Sequence, residues 1–493
     1  MFRDIRSIVA KNWPAVLIIV CAALLRFYNI AGYVTFLGDQ GRDALILKHI
    51  VTLKHLPAIG APSSVGQIYL GPFYYYLIAP FLLLFRFDPI GPAVGVALLS
   101  IVGTIALYWI MKKECGVKTA LISILFISFS SSLIDLSRFS WNPNLLPYFS
   151  FFTLYFFDKL LKGKEKLYWH AILCGAFLSF SIQLHYLAVL LLVPMMVMLI
   201  INVLNSNFYT RGKKNLMKWV YALLSFCFFS SPLIVFDLRH DFLNTRNFMA
   251  LIQGGKVIGN SSYASRVIET ASALVNFTFR LPLDARLNML LVLFVACGGV
   301  YIAWKKKNTF MVLISANIVA YLFGFSLLNS PRLIHYFGPA YLSLFVVVAY
   351  FIAQIKNTRA VVLITAWTML FFIIAHWRYY YFNMPPSNQI VYAKEVADSF
   401  GEHINAQPIQ IVPLPFTETD GHFRYFLDLA GYNVLPDNSS DQAEELFVMC
   451  FSQDCNPTGD PHWQIAAFYN KQLVDSWRVK NVTIYKFIHG KET

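Results

Sequence analysis

Runs of about 20 apolar residues recur along the first three quarters of this chain, and each is long enough to cross a bilayer as a helix. They lie near 14–31, 90–111, 118–134, 144–161, 167–183, 184–204, 219–236, 287–304, 309–328, 336–355 and 360–377. A Tyr/Phe-rich run at 68–85, interrupted by Pro72 and Pro80, is a shorter candidate. The composition agrees, being too apolar for a soluble protein of this size: 57% hydrophobic, 16% aromatic and 13% charged. The first run is too long for a removable signal peptide and lacks a small-residue cleavage site, so it reads as an uncleaved span. The expected fold class is an α-helical polytopic membrane protein of about 11–13 membrane helices, carrying a small C-terminal α/β soluble domain.

The net charge of +14 does not point to nucleic acid. Much of it sits in short loops: Lys112 and Lys113, Lys162 to Lys166, Arg211 to Lys214, Lys305 to Lys307, and Lys356 to Arg359. Short Lys/Arg-rich loops stay cytoplasmic. With Arg3, Arg6 and Lys11 on the same side, the loop after the first span and the tail after residue 377 are expected outside, at the cell membrane. This leaves one crossing between Asp39 outside and Lys112 inside, although two apolar runs lie between them. Either the run 68–85 is re-entrant or lies at the surface, or the Lys112 loop breaks the charge rule.

Two regions are expected. Residues 1–384 form a membrane domain with outer loops at 32–67 and 237–286, and residues 385–493, after Pro385-Pro386, form an extracytoplasmic α/β domain. In the first loop, Asp43–Leu56 has helical periodicity. In the second, Ser265–Phe279 predicts an amphipathic helix with Val267, Ile268, Ala271, Leu274 and Val275 on one side. The tail predicts helices over Ile390–Ile404 and His422–Leu429. Its predicted strands are Ile409–Val412, Leu446–Phe451 and Val482–Phe487. Cys21, Cys115, Cys174, Cys227 and Cys297 lie in or beside membrane runs and read as small apolar residues. Cys450 and Cys455 lie in the tail, where a disulfide can form on an oxidising side.

Asp39, in Gly38-Asp39-Gln40-Gly41-Arg42-Asp43, follows directly on the first span. A carboxylate just outside a membrane helix is costly to keep dry, which makes it a site candidate. The bland reading is a solvated loop acid. Further polar residues are expected at the same face: Arg42 and Asp43, then Asp135, Arg138 and Asn142, then Gln183 and His185. Asp237, Arg239, His240 and Asp241 follow, and last Arg332 and His335. Arginine binds phosphate oxygens in a fork geometry. A carboxylate can deprotonate an incoming hydroxyl or amine, or hold a divalent cation. Each has a bland alternative. The arginines can snorkel to lipid phosphate, His185 can be a bonded helix-end histidine, and Asp135 can cap the next helix.

The span followed by an acidic outer loop, the element Ser137-Arg138-x-x-x-Asn142-Pro143, the outer Pro331-Arg332-x-x-His335-Tyr336 and the soluble tail together resemble the polyprenyl-phosphate-dependent GT-C glycosyltransferases. The resemblance is to the family-39-like group, the bacterial relatives of protein O-mannosyltransferases and aminoarabinose transferases, and it covers the membrane part. In that group the first outer loop usually carries an acidic pair. Asp39 matches the first acid, Gln40 replaces the second, and Asp43 follows one turn later. Where the second loop often has an acid before proline, this chain has Asn142. Neutral amides are poorer ligands for hard cations, so no clear metal ligand set emerges and the cofactor stays open.

The resemblance implies an inverting glycosyltransferase at the outer membrane face. The donor would be a polyprenyl-phosphate sugar, and the acceptor a hydroxyl or amine on protein, lipid or glycan. Asp39 would be the base, and Arg332, Arg138, Arg42 and His335 would hold the donor phosphate, since fixed cations stabilise charge developing on the leaving group. Asp43, Asp135, Asn142, His185, Arg239 and His240 are further site candidates. The alternative is a transporter or flippase of lipid-linked sugars, which would show inverted repeats or charges at the bilayer midplane. The polar residues here cluster at helix ends.

Overall fold

The computed structural model describes residues 9–63, 67–163, 168–205, 212–253, 262–437, 439–452 and 454–490. Of the basic loop residues named above, Arg3, Arg6, Lys164, Lys166 and Arg211 fall outside these ranges.

The long apolar runs fold as helices, because hydrocarbon offers backbone N–H and C=O groups no partner except the helix's own. In chain order the helices are α1 (Trp13–Phe27), α2 (Gly38–Val51), α3 (Phe73–Leu84), α4 (Ile90–Cys115), α5 (Val117–Phe129), α6 (Leu146–Lys162), α7 (Trp169–Leu184) and α8 (Leu192–Asn205). Then come α9 (Gly212–Arg239), α10 (Leu243–Gln253), α11 (Tyr263–Phe279), α12 (Ala285–Lys305), α13 (Thr309–Phe325), α14 (Gly338–Ala353) and α15 (Thr358–His376). Among the described residues, 6 helices are long and apolar enough to cross a membrane, and shorter apolar helices such as α1, α5 and α7 accompany them. Local chemistry sets their ends. Pro14, Pro147 and Pro339 occupy first turns of α1, α6 and α14, where a missing N–H costs nothing. Asp284, Asn308 and Asn357 accept backbone N–H groups at the starts of α12, α13 and α15.

In the span Ile334–Ala353, which ends in α14, 78% of the most apolar stretch is buried, against 11% in the span Leu216–Arg239 within α9, so α14 is the centre of the bundle and α9 lies at its edge. Around α14, Phe126, Phe279, Phe345 and Phe372 pack ring on ring. The basic connections gather at one end. Lys112 donates to Asn12 at the start of α1, Lys159 to Glu114, and Lys118 to Thr358. Helix α1 leads from that end to the other, where α2 begins.

Helix α3 both starts and finishes near α2's end. Tyr75, in its first turn, bonds Asp43 of α2, and the Phe87 carbonyl, just past its last turn, accepts the hydroxyl of Tyr425 from the tail. Its 12 residues span about 18 Å, against about 30 Å of hydrocarbon. Contacts of both its ends with α2 and the tail suit the reading of the run 68–85 as lying at the surface.

The tail holds α16 (Gln389–Asp398), β1 (Ile409–Leu414), α17 (Gly421–Leu429), β2 (Glu445–Cys450), α18 (Trp463–Ala467), β3 (Lys471–Val479) and β4 (Val482–His489). The sheet order is β1-β2-β4-β3, with β1 and β2 parallel and the other pairs antiparallel. A parallel pair needs a crossover, and α17 lies within it. Every residue of the central strand β2 is buried, whereas the edge strand β3 is mostly exposed. That exposure is why no apolar run marked β3 in the sequence. Cys450 and Cys455 are joined in a disulfide.

Candidate active site

Asp39 lies inside the first turn of α2, not ahead of a helix beginning at Asp43. Unpaired N–H groups and the helix dipole make this end of a helix favourable for an anion. The side chain of Gln40 accepts the Leu37 N–H at 3.1 Å and so closes that turn. Gln40, which stands where the related group carries a second acid, is therefore a capping residue here.

Arg42 holds the carboxylate in place. Its NH1 donates to Asp39 Oδ1 at 2.9 Å, while its Nε and NH2 donate to Asp43 Oδ1 at 3.1 and 2.8 Å. Tyr75 adds a hydroxyl to the same Asp43 oxygen at 2.9 Å. Burial works against the charge on Arg42, yet Asp43, Tyr75 and Asp39 outweigh it and hold the guanidinium above its ordinary pKa. Asp43 is fully buried, and that burial raises its pKa against the pull of Arg42. Asp39 differs from Asp43: its side chain is 53% exposed, so one oxygen is anchored and the other faces an open space.

That space is a cavity of about 870 Å³, lined by Asp39 and its neighbours 35–40, by Phe139 and Trp141, and by tail residues including Gln389, Tyr392, Glu418, His422 and Asn481. The volume is in the range of ligand sites, about 300–1,000 Å³. The tail reaches it because helices α2 and α17 touch through glycine. A Cβ on Gly41 would run into the backbone of Gly421 and His422, and one on Gly38 into Thr419. Lys48 pairs with Asp428 at 2.5 Å along the same contact. Asn388 N–H donates to the Gly32 carbonyl at 2.9 Å, and Gln389 Oε1 accepts the Phe36 N–H at 2.7 Å.

The structure does not bring all the expected site residues together. Arg138 does not line the cavity. It donates to the carbonyls of Leu25, Arg26 and Tyr28 and lies 3.5 Å from the ring centre of Tyr381. It thus caps the end of α1, whose last carbonyls have no partner within the helix. Arg332 is also absent from the cavity wall. Its guanidinium donates to Thr270 Oγ1 and to the carbonyls of Ser330 and Leu328, over the ring of Phe325. His335 comes nearer, its ring 4.5 Å from that of Trp141, with His185 5.9 Å beyond it. His185 also accepts the Leu187 N–H, as a helix-end histidine would.

Arg239 and His240 lie at the far end of α9, both exposed, with the His240 ring stacked on Phe236. Neither lines the cavity. Asn142 is 1% exposed and neither of its side-chain polar atoms has a hydrogen-bond partner among the described residues, while its neighbour Trp141 faces the cavity. Asp135 does not cap a helix. It lies between Arg280 and Arg138, and burial pushes its carboxyl up to about 7 despite both cations.

The sequence reading missed Tyr75, Arg280 and every tail residue of the cavity wall. Gly38 and Gly41, three apart on one helix face, were the available signal of a close approach to α2. Among the described residues, no group of three or more His, Cys, Asp or Glu comes together to hold a metal ion.

Residues 70–235 match the model of the dolichyl-phosphate-mannose-protein mannosyltransferase family. By sequence, no curated protein matches the chain. In structure it is similar to ArnT from Cupriavidus metallidurans bound to undecaprenyl phosphate, at 12% identity and a TM-score of 0.63, covering 98% of this chain and 100% of that one. It is also similar to the apo oligosaccharyltransferase of Archaeoglobus fulgidus, at 13% identity and a TM-score of 0.51, covering 85% of this chain and 64% of that one. At such identities the likeness is one of fold. The chain thus shares the fold of these two membrane proteins, and its α3 to α9 match the mannosyltransferase family model.

Proposed function

We propose that the protein transfers a sugar from a polyprenyl-phosphate donor to an acceptor hydroxyl or amine, with inversion, at the extracytoplasmic face of the cell membrane. Asp39 is the general base. The single observation that carries this is Asp39 itself: one carboxylate oxygen is fixed by Arg42 and the side chain opens onto the 870 Å³ cavity. The acceptor's oxygen or nitrogen attacks the anomeric carbon as its proton passes to Asp39. The bond from that carbon to the phosphate oxygen breaks, and polyprenyl phosphate leaves with the electron pair.

Of the four candidate phosphate ligands, Arg42, which does not itself line the cavity but pairs with Asp39 at its wall, suits the role best. It is a third exposed, whereas Arg138 and Arg332 are turned to carbonyls. The donor class is supported by the family match and by the lipid phosphate bound in the similar ArnT. The extracytoplasmic placement rests on the basic connections gathered at the opposite end of the bundle.

The test is sugar release from polyprenyl-phosphate-linked donors by the purified protein in lipid nanodiscs. Asp39→Asn should lower turnover by about 10²–10⁴-fold, the usual contribution of a general base, with an unchanged melting temperature. A variant that keeps most of its turnover at neutral pH would remove Asp39 from the role.

A further inference from the structure

The cavity has two sides, and the tail domain forms more than half of its wall. That part of the wall comes from the tail and not from the apolar bundle that would hold a lipid-borne donor. Resting on the transferase reading above, we propose that this part of the cavity is the acceptor site, and that the acceptor it selects is a neutral glycan.

Three observations support the assignment. The first is charge. Asp39 and Glu418 are the ionisable acids of the wall, and no lysine or arginine lines it among the described residues. Arg42 is held within α2 by two aspartates. Asp39 is thus paired, but Glu418 has no ion-pair partner among the described residues, so a uronate, sulfate or phosphate would meet an uncompensated carboxylate there, and like charges brought together are the usual means of rejecting a ligand.

The second is the kind of contact offered. Trp141 and Tyr392 present rings, whose electron-rich faces suit the C–H faces of pyranose or furanose rings. Two amides of the same wall are fixed. Gln389 Oε1 is used by the Phe36 N–H and Asn481 Oδ1 by the Tyr392 hydroxyl, which leaves both NH2 groups to donate. Sugar hydroxyls can accept from these and donate to Glu418. His422 adds a ring that is 6% exposed, with Nδ1 unpartnered among the described residues. Burial lowers its pKa to about 4, so it is neutral and adds no cation for an anionic acceptor.

The third is the absence of a peptide-binding edge. The tail residues at the cavity come from turns and helix starts: Glu418 and His422 around the start of α17, and Asn481 in the β3–β4 turn. No strand edge of the sheet faces the cavity among its lining residues, so an extended peptide has no backbone row to pair with.

The test uses the full chain in nanodiscs, without donor, on an array of neutral oligosaccharides, their uronate, sulfated and phosphorylated counterparts, and Ser/Thr-rich peptides. Binding should be confined to neutral glycans, with acidic counterparts weaker by about tenfold or more. Glu418→Lys should close or reverse that gap. Equal or tighter binding of acidic glycans, binding of peptides without glycans, or no glycan binding at all would each overturn the assignment. Donor hydrolysis without acceptor is measured beside it. If hydrolysis persists while the array result goes the other way, only the acceptor assignment falls. If the wild type cleaves no polyprenyl-phosphate sugar, it is the transferase reading that falls.

Discussion

Asp39 and Asp43 lie one helical turn apart and share one guanidinium, that of Arg42, which donates to both. Their surroundings divide the work between them. Asp43 is buried and receives Tyr75 as well, so it is fixed. Asp39 is half exposed on the cavity and keeps one oxygen without a hydrogen-bond partner among the described residues. A buried acid that anchors an arginine, which in turn orients an exposed acid, fixes the Asp39 carboxylate without burying it.

This arrangement makes the two partners of Arg42 unequal. Arg42→Ala leaves Asp43 buried without its cation, and an unsatisfied buried group costs about 1–3 kcal/mol, more if charged. Thermal melts should show that loss. Asp43→Asn introduced into the Arg42→Ala background should recover most of it, because the orphaned charge is gone. Additive losses in the double variant would show that the two residues do not act as a unit.

Arg332 donates to one hydroxyl and two carbonyls spread around its fork. Lysine cannot reproduce that planar geometry. Arg332→Lys should lower the melting temperature, with about 1–3 kcal/mol lost for the abandoned carbonyls, while the KM for donor stays at its wild-type value. A raised donor KM at unchanged stability would return Arg332 to the phosphate.

Asp135 sets a pH dependence. Its carboxyl is raised from 3.8 to about 7 by burial, so the folded state binds the proton more tightly than the unfolded chain. The resulting stability is complete below the unfolded value and is lost as pH rises through 7. Wild-type melting temperature should therefore fall across that window on going up in pH, and Asp135→Asn should flatten the profile. A wild-type profile that rises over the same window would contradict the assignment.

Gly41 faces the backbone of Gly421 and His422. Gly41→Ala must push α2 and α17 apart, since backbone cannot rotate out of the way as a side chain can. Faster proteolytic release of the tail and a fall in transfer should appear together, although alanine is otherwise favoured over glycine within a helix by about 1 kcal/mol. An unchanged cleavage rate would show that the glycine contact does not seat the domain.

Much of this molecule was legible in the order of its residues. The apolar runs determined the helices because a backbone in hydrocarbon has no other way to satisfy itself. The step from apolar to mixed composition marked the tail, and its buried strands β1, β2 and β4 showed as apolar runs. Asp39 stood out because a charge beside a span needs a reason. Tertiary structure alone decided which polar residues meet.

Arg138 and Arg332 look in sequence like phosphate ligands, but each is turned to carbonyls that only the folded neighbours present. Glu418, His422 and Asn481 lie hundreds of residues from Asp39 and carry no local signature. They reach it because Gly38, Gly41 and Gly421 let two helix starts approach at backbone distance. A side chain's partners are set by contacts across the chain, whereas a helix is set by its own run of residues; that is why the architecture could be read from sequence and the cavity could not.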